Sequence, residues 1–205
     1  STPSNSSAAS DVYKRQTVSG TGYRRELNRI RSLFKQAHGG PIGRYLGRKW
    51  QENRFLVPYL RNSLWEKGYG VDTLDTATDW QNVVLLVKAI ESAMRRVSDR
   101  HDIPIHCFTH LSHLYPQGAS IYTTFIFPAA QTYDETHRFW VELKHAASLA
   151  IVENGGTISH QHGVGTDHAL YLSKEKGELG IRAIKALCRA FDPDGIMNPS
   201  KLAGD

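Results

Sequence analysis

Long apolar runs are missing from this sequence. The longest, Val83 to Val87, has five residues, far below the ~18 or more that a membrane-spanning helix needs. Cysteine is scarce: Cys107 and Cys188 are the only two, which excludes a disulfide-stapled scaffold and suits a reducing compartment. The start, Ser1 to Ser10, is polar and has no apolar segment, so no secretory signal is visible. A glycine-rich phosphate-binding loop is also missing. Gly20-Thr21-Gly22 is too short a match, and no strand–loop unit surrounds it. Acidic residues are few at one end: residues 1–61 hold 12 Lys/Arg against 3 Asp/Glu, whereas residues 62–205 carry a balance of −4. Such asymmetry fits an anionic ligand, a nucleic acid or a partner surface, with a solvated face as the plainer explanation. What remains is ordinary globular composition, 205 residues with 40% hydrophobic and 22% charged.

Residues 1–16, STPSNSSAASDVYKRQ, show neither helical nor strand periodicity and read as a non-native or disordered leader. Leu27, Ile30, Leu33 and Phe34 predict an amphipathic helix over Tyr23–His38, stopped by Gly39-Gly40-Pro41. A short helix is expected over Ile42–Arg54, and Pro58 is expected to break any element in Phe55–Leu64. Gly70–Thr76 reads as a strand. The stripe Val83, Leu86, Val87, Ile90, Met94 and Val97 predicts a helix over Asp79–Arg100, opened by a Thr78/Gln81 capping box. Ile103–Thr109 and Ala119–Pro128 read as two strands of an antiparallel hairpin around Tyr115-Pro116-Gln117-Gly118. A long helix follows over Thr132–Glu153, with Thr132 and Glu135 as a capping box. A last helix is expected over Lys174–Phe191, ended by Asp192-Pro193-Asp194-Gly195. The order strand–helix–strand–strand–helix predicts an α+β fold, an antiparallel sheet covered by helices, followed by a C-terminal helical segment.

The richest stretch for chemistry is Gly155–His168, GGTISHQHGVGTDH. Its glycines permit close backbone approach to a flat ligand. His160 and His162, two apart, would point the same way from an extended segment. A metal pair is one reading, but two ligands fall short of the usual three, and nothing in the spacing selects His113 or His168 as a third. A structural loop with hydrogen-bonded histidines is a second. A ligand-facing loop with His as acid, base or donor is the third, favoured by the clustering of Gly and His. No metal is expected. In the hairpin, alternation puts Tyr122, Thr124 and Ile126 on one face and the apolar Ile121, Phe125 and Phe127 on the other. The second set suits a core, which turns Tyr122 away from it.

TISHQHGVG, followed by FDPDGIMNPSKL, resembles the C-terminal part of FAD-linked oxidases of the vanillyl-alcohol oxidase type. The nearest branch is the alkyldihydroxyacetonephosphate synthases and their bacterial relatives. FLVPYLRNSLWEKGYGVDTLDTATDW and THLSHLYPQGASIYTTF resemble the segment before the first cap helix and the substrate-side hairpin of these proteins. The resemblance runs from about Arg24 to Leu202. It implies a ferredoxin-like cap domain over 17–156 and a flavin-contacting C-terminal segment over 157–205, with residues 1–16 as leader. It implies FAD as cofactor, bound mainly by an N-terminal half that this sequence lacks, so that the isolated chain would bind it weakly. Tyr122 matches the proposed proton acceptor or donor, and His160, Gln161 and His162 match a histidine-rich loop over the flavin. Gln161 stands where the animal enzymes have His, which removes a titratable group. Arg61, in PYLRNSLW, matches an arginine that holds the acyl substrate, as a guanidinium fork would. His160, Gly163 and Asn198 are the implied flavin contacts.

The implied chemistry is exchange of the acyl group of acyl-dihydroxyacetone phosphate for a fatty alcohol, without net redox change, in ether-lipid synthesis. The alternative is FAD-dependent oxidation of a 2-hydroxy acid such as lactate or glycolate, ranked second because HLSHLYPQG lacks the expected metal-binding pattern. A basic nucleic-acid-binding module ranks last, since the basic third holds no recognisable binding motif; no nucleic-acid partner is expected. The expected partners are a lipid-phosphate substrate, the missing FAD-binding domain and, by family habit, a second copy in a homodimer. No transmembrane segment is expected. A cytoplasmic location is expected in a bacterium and a peroxisomal one in a eukaryote, although LAGD is not the C-terminal peroxisomal address.

Overall fold

A computed structural model describes residues 22–40, 43–199 and 201–202. The proposed leader, residues 1–16, lies outside them. The chain divides into two compact units between residues 62 and 63, whereas the functional division drawn from the sequence falls between 156 and 157. Three helices come first: α1 (Tyr23–Gln36), α2 (Tyr45–Asn53) and α3 (Val57–Trp65). Pro58 does not break α3. It falls in the first turn, where no intrahelical N–H bond is required. Neither α1 nor α2 buries a residue. Phe55, Leu56 and Leu60 are 73%, 58% and 55% exposed, so core packing does not account for that apolar run.

The second unit carries the sheet. Its elements are β1 (Tyr69–Asp79), α4 (Val83–His101), β2 (His106–Leu114), β3 (Gly118–Pro128), α5 (Tyr133–Glu153) and α6 (Gly165–Phe191). The strand order is β1-β3-β2, antiparallel throughout. This is the α+β, ferredoxin-like order of a split βαβ unit. The alternation expected of β3 holds: Ile121, Thr123, Phe125 and Phe127 are buried, and Tyr122, Thr124 and Ile126 are half-buried on the other face. The apolar face meets Leu86, Ile90, Met94 and Val97 of α4 and Phe139, Leu143, Ala147 and Ile151 of α5 in one core. Polar ties cross the same layer, with Asp72 accepting from Trp140 Nε1 at 2.7 Å and pairing with Lys144 Nζ at 3.1 Å.

Two expected helix starts fail. Thr78 is the penultimate residue of β1, and its hydroxyl donates to the Gly155 carbonyl at 3.1 Å. It cannot also cap α4, whose cap residue, Asn82, makes no side-chain capping bond. The Thr132/Glu135 capping box, by contrast, is complete. The last helix starts at Gly165 rather than Lys174 and is broken at Gly177 (φ 67°, ψ 171°), a conformation that suits glycine.

The segment between α5 and α6 matters most. It runs antiparallel along the free edge of β1. Thr157 N donates to Ala77 O at 3.0 Å and His160 N to Asp75 O at 2.9 Å. The Thr76 hydroxyl donates to Thr157 O at 2.6 Å. The segment occupies the place of the fourth strand in a ferredoxin-like sheet, reduced to two ladder bonds. Gly156 allows the approach: a Cβ there would lie 2.7 Å from Leu86 Cδ2 and 2.8 Å from Thr76 Oγ1.

Candidate active site

The site forms on the sheet face turned away from α4 and α5. One row of paired residues crosses it. Asp75 of β1 and His110 of β2 both pair with Tyr122 of β3, so all three side chains share that face. The His110 and Tyr122 rings lie 5.2 Å apart. Over this row comes the loop that pairs with β1. His160 Nδ1 lies 3.4 Å from Asp75 Oδ1, and His162 Nε2 lies 3.5 Å from Asp75 Oδ2. The Tyr122 and His162 rings meet edge to face at 6.3 Å. Tyr122, His160 and His162, the three catalytic candidates, thus come together around one carboxylate.

The two histidines do not converge by simple extension. Gln161 between them is left-handed, with φ 62°, a conformation uncommon for a residue with a Cβ. That turn exposes Gln161 to solvent and swings both imidazoles to Asp75. Ser159 Oγ closes the loop by donating to Gly163 O at 2.6 Å. Glu175 of α6 fixes its start, accepting from Ile158 N at 2.7 Å and from the Thr157 hydroxyl at 3.1 Å. Burial pushes the Glu175 carboxyl up, but the Ile158 amide, Lys176 and Thr157 outweigh it and hold it below its ordinary value.

Electrostatics concentrate at Asp75. Its side chain is 4% exposed, against 13% for His160. Asp75 Oδ1 and His160 Nδ1 face each other without a closed hydrogen bond, so both are buried with bonding capacity unused. Leaving such groups unmatched costs on the order of 1–3 kcal/mol each, a cost tolerated mainly where function needs it. On the far side of the ring, His160 Nε2 lies 2.9 Å from the Tyr115 hydroxyl. His113 packs within 5.4 Å of His160 and stacks at 6.3 Å on Tyr115. Burial pushes His110 below its ordinary value, and the Asp75 charge partly offsets this.

Arg61 is exposed on α3, in the first unit. Asn198 is exposed beyond α6, left-handed at φ 49°, with Lys201 N donating to its carbonyl at 3.3 Å. Gly163 is exposed in the loop with φ 75°. His168 turns back on its own helix, its Nδ1 donating to Val164 O at 2.9 Å. A groove of about 480 Å³ runs between α4 and α5, lined by Arg96, Arg100, Glu142 and His145, and none of the clustered residues lines it. Among the described residues no group of three or more His, Cys, Asp or Glu is arranged to hold a metal ion, and no helix is long and apolar enough to cross a membrane.

Asp75, His110 and Tyr115 also belong to the site, although no motif marks them. Extending the β2 alternation by one residue places His110 beside Tyr122. A charged residue in the half-apolar strand GVDTLDT was the available signal for Asp75.

Comparison with known proteins gives the family. The profile of FAD linked oxidases, C-terminal domain, matches residues 23–202. An alkyldihydroxyacetonephosphate synthase of Dictyostelium discoideum is 31% identical over 170 residues, 83% of this chain and 27% of that protein. The synthase of Trypanosoma brucei brucei is 27% identical, over 82% of this chain and 27% of its own length. The glycolate oxidase subunit GlcD of Bacillus subtilis is 35% identical over 130 residues, 62% of this chain and 25% of that protein. A solved alkyldihydroxyacetonephosphate synthase superposes with a TM-score of 0.52 at 23% identity, covering 78% of this chain and 25% of that one, a likeness of fold. The chain spans about a quarter of the length of the relatives it matches. On the match across residues 23–202, with the α+β fold that accompanies it, the chain belongs to the family of FAD linked oxidases, C-terminal domain.

Proposed function

We propose that this chain supplies the substrate side of an FAD-dependent active site, and that the reaction exchanges the acyl group of acyl-dihydroxyacetone phosphate for a fatty alcohol. The observation that supports this reading is the convergence of Tyr122, His160 and His162 on Asp75, in a chain 31% identical to a curated alkyldihydroxyacetonephosphate synthase. The residues fit a flavin. The exposed Gly163 has open space beside it, with nothing within 4 Å of where a Cβ would stand, so a flat ligand can approach the loop backbone there. His160, Gly163 and Asn198 are the residues that would hold the cofactor. When bound, it would supply the electrophilic centre at which the substrate carbon is held while its oxygen substituent changes.

In the exchange a carbon–oxygen bond to the acyl group breaks, the acyl group leaves as a fatty carboxylate, and the alcohol oxygen takes its place. Protons must leave and return near the substrate carbon. Tyr122 accepts and donates there, with His162 at its edge. A phenol is a weak base near neutral pH, so the neighbouring imidazoles are what would make the transfer practicable. Gln161 of the loop is the proposed substrate contact here, and Arg61 of the first unit carries a guanidinium fork of the kind that grips an anionic group in bidentate fashion. Phe55, Leu56 and Leu60, exposed on and beside α3, suit the alkyl chain. Leu170, Leu179 and Phe191 of α6 are 80%, 78% and 86% exposed. A contact between this helix and the flavin-binding portion of a longer protein would cover them.

The test is a chimera in which this chain replaces the matched 27% of the Dictyostelium synthase. It is expected to catalyse the exchange. Tyr122→Phe is expected to lower turnover by at least ~10²-fold, within the usual span of acid–base contributions, while the flavin stays bound. Unchanged turnover would remove Tyr122 from the mechanism. A second reading, oxidation of a 2-hydroxy acid, is favoured by the 35% identity to the glycolate oxidase subunit. Oxidation of lactate or glycolate by the chimera, with no exchange, would reverse the order.

A further inference from the structure

We infer that Asp75 is the positioning residue of the site, the one carboxylate that sets the tautomer and orientation of both loop histidines and aims His160 at Tyr115. The inference rests on the proposed function for the site's chemistry but on geometry alone for the arrangement. Asp75 sits mid-strand, and its side chain is 4% exposed. An isolated carboxylate is costly to bury unless it is paired. The groups around it come from every neighbouring element: Tyr122 from β3, and His160 and His162 from the loop. His110 of β2 pairs with the same Tyr122 and feels the Asp75 charge. No Lys or Arg makes a salt bridge with Asp75 among the described residues, so imidazole N–H groups are the available donors.

The geometry decides which nitrogen carries the proton. A carboxylate only accepts, so its charge favours an N–H on the nitrogen that faces it, although at His160 the hydrogen bond itself is not closed. For His160 that is Nδ1, at 3.4 Å from Oδ1. Nε2 is then the acceptor, and the Tyr115 hydroxyl at 2.9 Å donates to it. For His162 the facing nitrogen is Nε2, at 3.5 Å from Oδ2, which leaves Nδ1 as its basic atom. One carboxylate thus imposes opposite tautomers on two histidines two residues apart. The logic is that of a catalytic triad, in which a buried carboxylate fixes the imidazole that does the proton transfer. The ring of His160 becomes a relay between a buried charge and a phenol that is 37% exposed. His162, which borders Tyr122, keeps a free basic nitrogen.

The experiment is long-range ¹H–¹⁵N correlation spectroscopy of the imidazoles in the full chain, well above the ordinary imidazole pKa so that neutral tautomers are read. The wild-type chain is expected to show Nδ1–H at His160 and Nε2–H at His162. Asp75→Ala is expected to switch His160 from predominantly Nδ1–H to predominantly Nε2–H with the backbone amide spectrum conserved. Asp75→Asn, with one acceptor oxygen instead of two, is expected to hold at most one of the two tautomers. Nε2–H at His160 in the wild-type chain would overturn the inference by itself, even if the alanine variant did not fold. Unchanged tautomers in either variant would also overturn it, since a merely structural Asp75 would not control them. No flavin or substrate enters the measurement. An inactive chimera with these tautomers would therefore count against the proposed function and not against Asp75.

Discussion

At the scale of residues, the site is a set of titratable groups whose environments differ. His110 lies among its sheet neighbours with its pKa pushed down by burial, and the Asp75 charge works against that shift. An NMR titration of the chain is expected to place His110 below the ordinary imidazole value. Asp75→Asn removes the opposing charge and is expected to lower His110 further; a rise would contradict the assignment. His168 is lowered too, again chiefly by burial. Both histidines take up protons more readily in the unfolded chain, so stability is fully present above the ordinary imidazole value and falls as pH drops through it. The cysteines separate in the same way. Burial, with the Glu91 charge adding to it, pushes Cys107 up to about 11, while Cys188 is exposed. Alkylation of the native chain is expected to label Cys188 quickly and Cys107 only on unfolding, which mass spectrometry can read. Equal labelling would mean that Cys107 is not held as described.

At the scale of elements, the histidine loop depends on two residues outside it. Glu175 holds the Ile158 amide and the Thr157 hydroxyl. Glu175→Ala leaves a donor next to the buried Ile158 without its partner and is expected to cost about 1–3 kcal/mol. Hydrogen exchange at Ile158 should rise with it, and unchanged protection would show that the clamp is idle. The Glu175 carboxyl is held below its ordinary value, so its contribution is present above that value and lost as pH falls through the lowered one. Gly156→Ala is expected to cost about 1–3 kcal/mol through overpacking against Leu86 and Thr76, readable as a lower denaturation midpoint. How much of this was legible follows from range in sequence. The stripe of α4, the capping box of α5 and the alternation of β3 are local patterns, and the structure has them. The convergence of Tyr122, His160 and His162 was reached only through resemblance. The Asp75–His160 approach joins residues 85 apart, and nothing local announces it. Thr78 misled for the same reason: its partner is Gly155, on the far side of α5.

At the scale of the whole molecule, the chain is two compact units, and the second is a ferredoxin-like sheet with one face closed by α4 and α5 and the Asp75 cluster on the other. The fourth strand has been traded for a loop that pairs with β1 just long enough to deliver two histidines. Apolar side chains on α3 and α6 stand well exposed, as expected of a part that works against other protein or a lipid-like substrate. The chain covers about a quarter of its curated relatives, and the proposed exchange is tested in a chimera with one of them. The most direct measurement is the stoichiometry of the chimera with acyl-dihydroxyacetone phosphate and a fatty alcohol. One fatty acid is expected to be released per ether product formed, with no reduction of an added electron-accepting dye. Dye reduction driven by lactate or glycolate, with no ether product, would contradict it.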